Sequence, residues 1–145
     1  MPRFALPLAA LLATLAAGAT RAADPGVEAS KSYRIVTDGS TKAAKVGEKG
    51  KLVLLIEPTV PKIHVNAQAP LKIKLEAPAG LKLEKAELGH KDAVKPGADA
   101  PRFEVPFTAV AAGRQEARAA MKFYICSDSW CVQQSRDVAI PVDVK

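Results

Sequence analysis

After residue 30 the chain alternates apolar and polar residues with a period of two. In LKIKLEA (71 to 77), Leu71, Ile73 and Leu75 fall on one face and Lys72, Lys74 and Glu76 on the other, which is the pattern of a half-buried strand. Similar short segments follow one another as SYRIVT (32 to 37), KLVLLIE (51 to 57), LKLEKAEL (81 to 88), RFEVPFTAV (102 to 110), ARAAMKFYIC (117 to 126) and VAIPVDV (138 to 144). Turn residues separate them at Asp38-Gly39, Gly47 to Gly50, Pro58 to Pro61, Pro78 to Gly80, Pro96-Gly97 and Ala112-Gly113. Seven such segments with regular punctuation predict an all-β fold, an immunoglobulin-like antiparallel β-sandwich of about seven to eight strands. ARAAM contains good helix formers, but it runs unbroken into the β-prone KFYIC and is read as strand. Pro106 and Pro141 each remove a ladder donor, so both are expected at a sheet edge or a bulge. Residues 23 to 30, ADPGVEAS, show no period and are expected as a flexible lead-in to a single domain over residues 31 to 145.

The first residues break the alternation. Arg3 precedes an apolar run from Phe4 to Ala17 and then small residues, the layout of a secretory signal peptide over residues 1 to 22, with cleavage between Ala19 and Ala22. The run is shorter than the roughly 20 residues that span a bilayer, and no cysteine follows it to accept a lipid. The mature protein is therefore expected to be exported, periplasmic or beyond, and not embedded in a membrane. Removing residues 1 to 22 takes away Arg3 and Arg21 and no acid, leaving 19 basic against 15 acidic side chains, a net charge of +4. The lysines are scattered singly with few aromatics among them, which is no footprint for nucleic acid.

Two cysteines, Cys126 and Cys131, lie in FYICSDSWCVQQS (123 to 135) with only SDSW between them. On a hairpin they would face each other across its neck, at a spacing that suits a disulfide, and an oxidising compartment would close it. As a staple the bridge is weak, because a ring of about six residues yields only roughly 2 kcal/mol by the loop-entropy relation. That mismatch leaves two readings open, a redox pair and a local staple. Charge near the sulfurs is mixed: Asp128 disfavours a thiolate, whereas Lys122 or Arg136 would favour one if folded back toward the tip. Trp130, beside Cys131, could shield the sulfur, dock a partner or pack on the end of the sandwich. His64 and His90 lack the paired spacing of a zinc site and are expected as surface or half-buried histidines, so neither a metal nor another cofactor is expected.

KIHVNAQAPLKIKLEAPAGLKLEKAEL (62 to 88) together with KFYICSDSWCVQQSRDVAIPVDV (122 to 144) resembles the N-terminal periplasmic domain of the thiol:disulfide interchange protein DsbD and its stand-alone relatives. The shared features are the HVN segment leading through a proline to a strand, and an aromatic strand ending in C-x4-C before a final strand. The resemblance implies an immunoglobulin-like fold whose cysteine pair exchanges reducing equivalents with thioredoxin-fold partners. By position, Cys131 would form the mixed disulfide and Cys126 would resolve it, with Trp130, Tyr124 and Asp128 as the residues meeting the partner. Full-length family members continue into a membrane electron carrier and a thioredoxin-like domain; in this sequence the last strand is followed only by Lys145, so that carrier or a thioredoxin-fold protein is expected to act in trans. The family's aromatic cap loop has no evident counterpart, since KDAVKPGADAP (91 to 101) occupies its place without an aromatic. The alternative is a non-catalytic binding or accessory module with a structural hairpin disulfide.

Overall fold

The computed structural model describes residues 24–145; the signal peptide expected over residues 1 to 22 lies outside them. The alternating segments form an immunoglobulin-like sandwich of two sheets. One sheet has the order β1 (Tyr33–Val36), β3 (Lys49–Pro58), β8 (Arg102–Ala109), β6 (Leu81–Leu83). The other has the order β2 (Ala43–Ala44), β10 (Cys131–Val144), β9 (Gly113–Cys126), β5 (Lys72–Glu76), β7 (Glu87–Leu88), with β4 (His64–Val65) also paired to β9. Pairing is antiparallel except between β2 and β10. Inward-facing residues of both sheets, among them Phe103, Phe107, Phe123, Leu52, Leu54, Ile56, Ile73 and Met121, are fully buried and make one core.

The second sheet is organised by the β9–β10 hairpin, whose ladder runs without interruption from Cys126↔Cys131 to Gly113↔Val144. Odd residues of β9 from Ala117 to Ile125 point into the core, so Lys122, Tyr124 and Cys126 point outward. ARAAM is strand because this alternation places Ala117, Ala119 and Met121 inside; burial overrides local helix propensity.

Three segments depart from expectation. Residues 25 to 31, within and beyond the expected flexible lead-in, form a helix, α1 (Pro25–Lys31). Asp24 caps it by accepting from the Gly26 N–H at 2.9 Å, Pro25 occupies the first turn, and Ala29 is buried; cap, proline and anchor outweigh the missing period. LKLEKAEL is not one strand but two: β6 joins β8 in one sheet and β7 joins β5 in the other. The alternation of Leu81 and Leu83 does not continue through Lys85 and Ala86 to Leu88, and the chain crosses between sheets there. β8 is an interior strand, although it carries Pro106. The Pro106 carbonyl accepts from the Glu84 N–H, so the missing donor points past the end of β6, where no strand backbone asks for it. Pro141 sits as expected: the N–H groups of Asp143 and Lys145 donate toward β2, and by alternation Pro141 faces the same side before β2 begins.

Tyr33 ties the sheets together. Its ring meets Phe123 edge to face at 5.2 Å between centroids, and its hydroxyl donates to Gln134 Oε1 at 3.0 Å. The Arg136 guanidinium lies over the same ring, 4.9 Å from its centroid. Burial pushes the Tyr33 phenol up to about 12, the nearby Arg136 cation acting in the opposite direction. The folded protein thus holds this proton after an unfolded tyrosine, near pH 10, has begun to release it, so the contribution to stability is complete below pH 10 and is lost as pH rises through 12. Urea denaturation at pH 9 and pH 11.5 is expected to show a larger fall in stability for the wild type than for Tyr33→Phe, by on the order of 1 to 2 kcal/mol. An equal fall in the two proteins would mean that the phenol is not buried as described.

Candidate functional site

The cysteines occupy the turn end of the long hairpin. Cys126 and Cys131 are direct partners across β9 and β10, their Cα atoms are 4.1 Å apart, and they are joined as a disulfide. The distance belongs to the close, non-hydrogen-bonded class of antiparallel pair. On the next rung the Ser127 N–H donates to the Trp130 carbonyl at 2.8 Å, which leaves Asp128 and Ser129 as the turn itself. The Ser127 hydroxyl stabilises this turn by accepting from the N–H groups of Ser129 and Trp130, each at 3.2 Å.

The two sulfurs differ in access. Cys126 is 2% exposed, whereas Cys131 is exposed. Cys126 is the middle member of an outward-facing row, since β4 pairs with β9 so that His64 stands opposite Cys126 on the side away from Cys131. The Asn66 N–H continues this pairing by donating to the Tyr124 carbonyl at 3.0 Å. His64 and Asn66, Tyr124 and Cys126, and Cys131 and Gln133 therefore share one face of the sheet in a patch three strands wide. Asn66 reaches the exposed sulfur: its Nδ2 is 3.7 Å from Cys131 Sγ.

His64 and Asn66 were not singled out as site residues from sequence. IHVN already carries the signal, because Ile63 and Val65 alternate with His64 and Asn66 in the phase of a strand, but a two-residue strand pairing some sixty positions away has no local signature. His90 is half-buried, with Nε2 2.6 Å from the Ala69 carbonyl oxygen, and lies outside the patch. Among the described residues no group of histidine, cysteine and acidic side chains is arranged to hold a metal.

The remaining sequence candidates divide between the patch and the tip. Tyr124 is half-buried on the disulfide face. Asp128 is exposed and pairs with Lys62 at 3.6 Å. Arg136 does not fold back toward the sulfurs, because it lies on the inward side of β10 over Tyr33 and donates to the Ser30 carbonyl at 3.2 Å. Lys122 lies further along β9, opposite Ser135 and Lys72. Trp130 packs against the edge of the core, and its Nε1–H donates to Glu28 Oε2 at 3.2 Å, fastening α1 to the hairpin tip. Beside it an open groove of about 540 Å³ runs between α1, Trp130 and the Val60–Ile63 segment. KDAVKPGADAP meets the side of β4 away from β9, where the Val65 N–H donates to the Asp99 carbonyl at 2.9 Å; β4 and β9 lie between it and Cys131, which is exposed.

No known protein family matches this chain. No curated protein matches it either. Among solved structures it is similar to domains 4 and 5 of the S-layer protein SbsC, with 15% identity and a TM-score of 0.41 over 77% of this chain and 50% of that one. It is also similar to an Escherichia coli alpha-2-macroglobulin spanning domain MG7 to the C-terminus, with 15% identity and a TM-score of 0.48 over 78% of this chain and 16% of that one. A conjugative transposon lipoprotein from Bacteroides eggerthii has 7% identity and a TM-score of 0.44 over 77% of this chain and 97% of that one. The chain thus spans half or less of the first two. At such identities the likeness is one of fold alone. Among the described residues no helix is long and apolar enough to cross a membrane, and a closed disulfide fits an exported location.

Proposed function

We propose that this protein is an exported thiol-disulfide exchange domain, passing reducing equivalents through Cys126 and Cys131 to or from a thioredoxin-fold protein or a membrane electron carrier acting in trans. The observation that carries this reading is the asymmetry of the pair, with Cys131 exposed and its disulfide partner Cys126 buried. Exchange needs that division. An accessible sulfur must accept the incoming thiolate, and a close second thiol must be ready to displace the partner before the mixed disulfide persists. Cys131 takes the first role and Cys126 the second, in agreement with the resemblance to the DsbD N-terminal domain. Tyr124 on the disulfide face, and Asp128 and Trp130 at the adjoining turn, are proposed to meet the partner.

The bridge also has little to stabilise. A ring of about six residues takes little entropy from the unfolded chain, roughly 2 kcal/mol, and in the folded state the ladder already holds the two residues opposite each other.

A redox titration of the mature protein, with thiols trapped by alkylation, tests the proposal. An exchanger is expected to titrate with a midpoint above about −300 mV, whereas a structural bridge resists reduction to below about −300 mV. A midpoint below that boundary would assign the pair to the non-catalytic accessory module instead.

A further inference from the structure

Asn66 projects a fixed amide at the reacting sulfur. Its Oδ1 accepts from the Gln68 N–H at 2.8 Å, and its own backbone N–H is held by the Tyr124 carbonyl at 3.0 Å. The first bond settles the orientation of the carboxamide, because a flipped amide would set Nδ2 against another donor. Nδ2 is therefore the atom turned to Cys131 Sγ, 3.7 Å away. Beyond this neutral contact to a disulfide sulfur, the geometry matters most when that sulfur is charged, since N–H donors favour the ionised form of the group they meet.

We propose that Asn66 is a catalytic residue of the exchange reaction, whose Nδ2–H stabilises the thiolate form of Cys131; the inference rests on the exchange reading above. In reduction of the pair by a dithiol protein, an incoming thiolate bonds to Cys131 Sγ while the Cys126–Cys131 bond breaks, its electron pair leaving on the Cys126 sulfur. The second thiolate of the reductant then attacks its own sulfur in the mixed disulfide, and the electron pair of that bond leaves on Cys131 Sγ. The reductant departs as a disulfide, the pair has gained two electrons, and the two protons of the reductant's thiols pass to the new thiols or to solvent. In the opposite direction Cys131 is the attacking thiolate. Both directions place negative charge on the sulfur that Asn66 faces, so the donor lowers the pKa of Cys131 and favours the reduced pair.

Two substitutions separate this role from a structural one. Asn66→Asp keeps the acceptor for the Gln68 N–H and replaces only the donor, by an anion; Asn66→Ala removes both. The measurements are the glutathione redox equilibrium and the pH dependence of iodoacetamide alkylation of the reduced protein, with thermal melting of the oxidised forms as a check on folding. Asn66→Asp is expected to shift the equilibrium toward the disulfide about tenfold, corresponding to roughly 30 mV, and to raise the Cys131 thiol pKa by about one unit or more. Asn66→Ala is expected to move both in the same direction. Unchanged equilibrium and thiol pKa in a normally melting Asn66→Asp protein would overturn the inference. If Asn66→Ala melts low, Asn66→Asp alone decides. A shifted thiol pKa in a protein that fails to exchange with any thioredoxin-fold reductant would show that Asn66 tunes the Cys131 thiol while removing the exchange reading, and with it the catalytic role.

Discussion

The protein carrying Cys126→Ser, reduced and then mixed with oxidised glutathione, is expected to accumulate a stable adduct at Cys131, read as the mass gain of one glutathione. The Cys131→Ser protein is expected to form its adduct about tenfold more slowly or not at all, because the remaining thiol is 2% exposed and a disulfide must reach the attacking sulfur. In the first variant no second thiol remains to expel the glutathione. With a thioredoxin-fold partner, the same logic predicts a trapped complex for Cys126→Ser and complete loss of exchange for Cys131→Ser. Both variants should remain folded, since the ring they open is worth at most roughly 2 kcal/mol. Equal adduct formation by the two would show that the sulfurs are equally accessible, and the assigned roles would have no basis.

Truncating Phe123 is expected to have the largest effect on stability. Its side chain is fully buried toward the cysteine end of β9 and meets Tyr33 edge to face, so it joins the interior of one sheet to the edge strand of the other. Phe123→Ala leaves a cavity that neighbouring strands cannot close, at a cost of about 3 to 5 kcal/mol. That is a large part of the roughly 5 to 15 kcal/mol by which domains are ordinarily stable. Urea denaturation should show the midpoint falling with little change in slope. A loss below about 1 kcal/mol would mean that the two sheets do not share the packed core described.

What the sequence revealed follows the range over which its signals act. The alternation in LKIKLEA and ARAAMKFYIC is local, each strand being patterned by its own burial; the structure places β5 within the first segment and runs β9 through all of the second, from Gly113 onward. The opposed cysteines were legible for the same reason, because a tight hairpin is a local event. The first helix was missed: the sequence carries its cap, Asp24 followed by Pro25, but a single buried residue, Ala29, offers no period to detect, and the segment reads as flexible. β4 lay beyond local reading. Its two residues join β9 only through tertiary pairing, after a turn in which Lys62 takes a left-handed backbone with φ 65°, and that pairing brings His64 and Asn66 beside the sulfurs. Asp128 and Arg136 show the opposite failure: adjacency in sequence suggested influence on the thiols, whereas strand alternation and an ion pair with Lys62 direct those charges elsewhere.

The ladder of β9 and β10 has one more implication. Since the rungs behind Cys126 and Cys131 dictate how far apart the sulfurs stand, the tetrapeptide joining them is relieved of that duty. On the exchange reading proposed above, its composition could drift to suit a partner without retuning the cysteine pair, so recognition and chemistry could evolve separately on a single loop.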